Sequence, residues 1–176
     1  THVLLQTINA SGAATVDFTS NIDGTYDRYL FTWTGVTPGT DNNSMVALVS
    51  RDGGATWDNS SAQYAHSYHY NYEYSAGDAH GASHSSSASS IPIGSAALGN
   101  GSGESCNGEI ILYAPSDTST ETMMPISCVI SGAPGSWVYE LFESVALRLS
   151  TEAVDGLQFK LGSGTISGTF KLYGIK

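Results

Sequence analysis

Apolar residues along this chain recur at every second position, and over no stretch of helical length do they recur at every third or fourth. A period of two is the signature of strands that bury one face. Arg28–Thr34 shows it most cleanly, with Tyr29, Phe31 and Trp33 on one face. The same alternation predicts strands over His2–Asn9, Ala13–Thr19, Ser44–Ser50, Gln63–Tyr74, Gly108–Ala114, Met123–Ser131 and Thr165–Ile175. Val145, Leu147 and Leu149 are expected to share a buried face with Arg148 turned outward, and Leu157, Phe159 and Leu161 to do so with Gln158 and Lys160 outward. About ten short strands at near-regular spacing, punctuated by Gly, Asn, Asp and Pro, predict an all-β, antiparallel, jelly-roll-like β-sandwich. Two stretches carry no clear alternation. Residues 75–105, rich in Gly, Ser, Ala and His with only Ile91, Ile93 and Leu98 as anchors, read as a long excursion. Ser136–Phe142 reads as a loop or short helical turn.

At 176 residues the chain suits one domain, 1–176, with a core large enough to stand without staples. Six Lys and Arg against 16 Asp and Glu give a net charge of −10. The few cations are scattered, which argues against nucleic acid and against an anionic membrane surface. No apolar run approaches the length needed to span a bilayer as a helix, so neither membrane insertion nor nucleic acid is expected. The two cysteines, Cys106 and Cys128, are too few for a disulfide framework. A hairpin register pairing Leu112 with Thr122 would set them opposite each other, making a disulfide possible, with two free thiols as the plainer reading.

Four features bear on chemistry. Ser50-Arg51-Asp52-Gly53-Gly54-Ala55-Thr56-Trp57 matches the pattern S-x-D-x-G-x-T-W, similar to the Asp-box of sialidases and many other β-proteins. The expected role is structural: Asp52 accepts backbone N–H groups, Gly54 permits positive φ and Trp57 packs beneath. The run Tyr64–Tyr74 places Tyr64, His66, Tyr68, Tyr70, Tyr72 and Tyr74 on one face of a strand, with His69 on the other. Such an aromatic ladder fits core or subunit packing, or a flat ligand face for sugar rings. His80 and His84 stand four apart near Asp78, but the surrounding Gly and Ser argue against a helical metal site and for a solvated loop. The carboxylates fall near turns, and no nucleophile elbow, phosphate loop or zinc-protease motif occurs. No metal and no cofactor are expected, and the chain is not expected to be an enzyme.

Three stretches carry a resemblance: Thr15–Ser44 (TVDFTSNIDGTYDRYLFTWTGVTPGTDNNS), Gly108–Pro115 (GEIILYAP) and Leu157–Lys176 (LQFKLGSGTISGTFKLYGIK). In that order they resemble small bacteriophage domains, marine phages especially, described as tail-fibre or virion structural proteins. The closing stretch is the most specific, and 60–103 matches only loosely, as a variable recognition region would. The resemblance implies a β-sandwich on the phage particle surface, made in the host cytoplasm. Its implied partners are other virion proteins, copies of itself in a homo-oligomer (often a trimer), and a host surface glycan. It supplies no catalytic residues and leaves tail fibre, capsid decoration and head fibre open. On this reading host contact falls to Tyr68, Tyr70, Tyr72 and His69, with the stretch around His80–His84. A carbohydrate-binding module of a secreted enzyme is the alternative, and a small glycan hydrolase a third.

Overall fold

A computed structural model describes residues 1–74, 77–132 and 137–176; the side chains of Tyr74, Trp137 and Val138 lie outside the described part. The chain is all-β. Its strands are β1 (His2–Ala13), β2 (Thr15–Phe18), β3 (Arg28–Pro38), β4 (Asn43–Ser50), β5 (Tyr64–Tyr74), β6 (Gly77–Ala88), β7 (Ile91–Leu98), β8 (Ser105–Tyr113), β9 (Met123–Ser131), β10 (Trp137–Arg148), β11 (Gly156–Leu161) and β12 (Ile166–Ile175). They form an eight-stranded sheet, β1-β12-β3-β8-β9-β10-β5-β6, and a four-stranded sheet, β2-β11-β4-β7. All pairings are antiparallel.

Setting aside the hairpins β5–β6 and β9–β10 exposes the plan. The remaining strands pair first with last: β1 with β12, β2 with β11, β3 with β8 and β4 with β7. Successive pairs fall in opposite sheets. That is a ribbon folded twice, the arrangement of a jelly roll. The two hairpins are insertions after β4 and after β8, and together they widen one sheet from four strands to eight. The sequence expectation of an antiparallel sandwich is therefore met, with twelve strands among the described residues in place of about ten.

Burial follows the alternation. Tyr29, Phe31 and Trp33 of β3, Ile110 and Leu112 of β8, and Phe170 and Leu172 of β12 face Val16 and Phe18 of β2, Met45, Ala47 and Val49 of β4, and Leu157, Phe159 and Leu161 of β11. Phe159 is the hub, with ring centroids 5.4 Å from Trp33, 5.3 Å from Phe170 and 6.4 Å from Phe18 and Phe31. A buried Phe of this kind contributes about 3–5 kcal/mol relative to Ala. Trp33 extends over Gly108, where a Cβ would come within 2.6 Å of the indole and 2.5 Å of the Cys128 Cβ, so only glycine fits.

Several expectations are corrected. The excursion at 75–105 holds two strands: 77–88 and 91–98 are β6 and β7. The described part of Ser136–Phe142 belongs to β10 and not to a loop or helical turn. On β10 the predicted faces are exchanged. Arg148 is buried, and Val145 and Leu147 point outward. Its guanidinium Nε donates to Asp58 Oδ2 at 2.7 Å, and Asp58 also receives Arg51 at 3.1 Å, so the charge is not buried alone. Gln158 is likewise buried, donating to Asp17 at 2.9 Å across β11 and β2. The β8–β9 hairpin pairs Cys106 with Ile130 and Gly108 with Cys128, two residues off the register that would set the cysteines opposite. Both are buried free thiols; the Trp33 indole donates to Cys106 Sγ at 3.2 Å. Hydrogen bonding to Cys106, then burial, pushes the Cys128 thiol well up.

Candidate functional site

The Ser50–Trp57 turn is a closed hydrogen-bond unit. Asp52 Oδ1 accepts the Thr56 N–H at 2.8 Å and the Ser50 hydroxyl at 2.8 Å, while Oδ2 accepts the Thr56 hydroxyl at 2.6 Å. Ser50 Oγ in turn accepts the Gly54 N–H at 2.9 Å. Gly54 sits at φ +85, and Trp57 packs partly buried against the core. The three donors hold the Asp52 carboxyl at a pKa of about 2. Three of the roughly four acceptor sites of this carboxylate are thus used to hold the turn.

The tyrosine ladder faces the other sheet. Tyr64 is fully buried; its hydroxyl donates to the Asp58 carbonyl at 2.8 Å and accepts the Val49 N–H at 2.9 Å, tying the start of β5 to β4. Burial pushes this phenol far up. His66, Tyr68, Tyr70 and Tyr72 continue the row as a run of neighbouring rings, 5.7, 6.4 and 4.6 Å apart between centroids. Tyr68 lies 5.0 Å from Phe142, and Tyr68 and Tyr70 pack half-buried on the core. Tyr72 bonds Ser95 of β7. Beside it Glu140 is fully buried, its carboxylate receiving the Ser95 N–H at 2.8 Å, and burial raises its pKa. These rings therefore serve mainly to join the inserted hairpins to the sandwich. Tyr74's side chain lies outside the described part.

The surface left open is the outer face of the eight-stranded sheet. Register places its residues in cross-strand rows. One row runs Arg28, Tyr113, Met123, Leu147, Ala65. Beside it lie Leu30 with Ile111, Pro125 with Val145, and then Ser67 with His84. The next row is polar: Lys171, Thr32, Glu109, Ser127, Glu143, His69. Beyond it stand Val129, Leu141, Asn71 and His80, and then Tyr139, Glu73 and Asp78. Met123, Val129, Tyr139, Leu141 and Val145 are 40% to 55% exposed. Shallow depressions lie along this face; one of about 410 Å³ is lined by Ala65, His66, Ser67, Met123, Val145 and Leu147. His69 pairs with Glu143 at 3.2 Å within the polar row. A hydrogen bond to Glu73 pushes the Tyr139 hydroxyl up.

His69, His80 and His84 thus share this outer face, and the tyrosines predicted to join them in ligand contact lie on the opposite one. The apolar outer band was missed at the sequence level, although a signal existed. The segments Glu109–Tyr113, Met123–Ser131 and Tyr139–Leu149 carry apolar residues at odd and even positions alike, the mark of strands apolar on both faces. Among the described residues no group of three or more His, Cys, Asp or Glu is placed to hold a metal ion, and no helix is long and apolar enough to cross a membrane.

The fold and this face define the class: an antiparallel jelly roll widened on one side into a broad, part-apolar sheet. Comparison with protein-family models finds no match, and no curated protein matches the chain.

Proposed function

We propose that this chain is a non-enzymatic bacteriophage virion surface protein, a fibre-type receptor-binding module or a capsid decoration or head-fibre protein. One observation carries the reading: an unpartnered apolar band crosses the outer face of the eight-stranded sheet, with Met123, Val129 and Val145 each 46% to 55% exposed. With 31 of the described residues already buried in one core, the band adds apolar surface that a partner can cover. The three sequence stretches that resemble phage virion domains agree with such a role. So does the negative charge, which favours solubility at high copy number. The band is the face seated against another virion protein, and the polar row at Glu109, Glu143 and His69 sets its orientation.

The test is a particle assembled with the double variant Met123→Glu, Val145→Glu. Both side chains are exposed, so the isolated chain is expected to melt within a few degrees of the parent. Loss of the protein from purified particles is expected. Normal incorporation together with normal infectivity overturns the assignment of this face.

A further inference from the structure

The two sheets leave four edge strands, β1, β6, β2 and β7. An unpaired edge is a template for another chain, and folds blunt it by shortness, bulges, Pro or charge. β2 is only four residues long. β7 carries Pro92 and a Gly94 at φ +95, and its pairing with β4 shifts register between Asn43 and Met45. β1 is interrupted by register shifts at Leu4/Gln6 and Ala10/Ala13. β6 is neither short nor, along most of its length, bulged; it has no Pro, and its one carboxylate is Asp78. It runs twelve residues, and its ladder with β5 is continuous from Tyr74↔Gly77 to His66↔Ser85, the one shift lying at the far end. It has no Pro, Lys or Arg, and apart from Asp78, His80 and His84 its side chains are Gly, Ala and Ser.

We propose that β6 is a pairing edge for β6 of a second copy of this chain, antiparallel about a two-fold axis at Gly81. The pattern of the strand selects this occupant and this register. Asp78 and His84 stand three residues on either side of Gly81 and face the same side of the sheet, so a two-fold at Gly81 sets Asp78 of each copy opposite His84 of the other. Opposite-charge or hydrogen-bonded pairs directly across an antiparallel ladder stabilise it, and here the symmetry makes two of them. His80 then faces Ala82, and Ala79 faces Ser83, with no bulky pair in conflict. On the inner face Tyr70 lies across Gly81, its Cζ 2.6 Å from where a Cβ would stand. Two glycines meeting at the axis leave room for both Tyr70 rings, which pairing would cover further. The result is one continuous sheet of sixteen strands, built from two sheets of eight. This contact is separate from the apolar band on the sheet's outer face and goes beyond the virion role proposed above.

The experiment is sedimentation velocity of the purified chain over a wide concentration range, with amide hydrogen exchange read at low and high concentration. The parent chain is expected to form a dimer with rising concentration, with protection gained in 77–88. Asp78→Lys removes the acceptor that faces His84 on either side of the axis and sets a second donor there, and is expected to weaken the dimer about tenfold or more. Adding His84→Asp to Asp78→Lys re-creates opposite charges with the sign reversed, and dimerisation is expected to return. Both positions are exposed, so melting curves should stay with the parent. A chain that stays monomeric throughout, a dimer indifferent to Asp78→Lys, or a charge-reversed double variant that fails to recover overturns the proposal. So does a dimer abolished by Met123→Glu with exchange in 77–88 unchanged.

Discussion

Tyr64→Phe removes one oxygen from the place where the inserted β5 meets the jelly roll. That oxygen accepts the Val49 N–H at 2.9 Å and donates to the Asp58 carbonyl at 2.8 Å, in a fully buried setting. Removing it strands a buried donor and a buried acceptor. A buried group left unsatisfied costs roughly 1–3 kcal/mol, so the pair is expected to cost about 2–6 kcal/mol. For a domain of this size that lowers Tm by about 10 °C. Asp58 is also the carboxylate that neutralises buried Arg148, so loosening its backbone adds to the loss. Urea unfolding followed by tryptophan fluorescence is the assay, with Tyr113→Phe, on the exposed face, as the control expected to change little. An unchanged m-value with a lower midpoint is the expected pattern. A loss under about 0.5 kcal/mol, no larger than ordinary surface changes give, would refute the argument that this hydroxyl locks β5 to β4.

Two further predictions concern pH. The Asp52 carboxyl is held at about 2, below its ordinary 3.8, so its contribution is present above the unfolded value and lost as pH falls toward 2. Asp52→Asn should flatten the acid side of the stability curve, and carbon-detected NMR of the parent should show the Asp52 carboxyl titrating near pH 2; titration near 4 would mean the turn does not hold it. Glu140 has the opposite sign: burial raises its pKa above 4.5, so its contribution is full below that value and lost as pH rises through the folded-state value. Glu140→Gln should therefore remove a fall in stability on the neutral side, and parallel curves for parent and variant would contradict the buried-carboxyl account.

The strands that were legible from sequence are those with one buried face. Tyr29, Phe31 and Trp33, or Leu157, Phe159 and Leu161, mark the interior because their neighbours are polar. β6 was not legible, since a strand paired on one side and filled with Gly, Ala and Ser has no apolar alternation to show. On β10 the signal was present and pointed the wrong way. Val145 and Leu147 belong to the outer apolar band, and Arg148 goes inward because Asp58, distant in sequence, neutralises it. The cysteine register erred by two because the length of the β8–β9 connection, and not the pattern, sets it. The tyrosine ladder was visible as a face, but which side it would take depended on the four-stranded sheet lying beneath β5, a long-range fact that no local pattern carries.

Immunogold electron microscopy of the parent phage, with antibody raised against the folded chain, tests the central claim most directly. The account predicts label on the particle: at the tail end for a receptor-binding module, over the capsid for a decoration or head-fibre protein. Particles that carry no label, with the protein found only in the soluble fraction of the lysate, would contradict it.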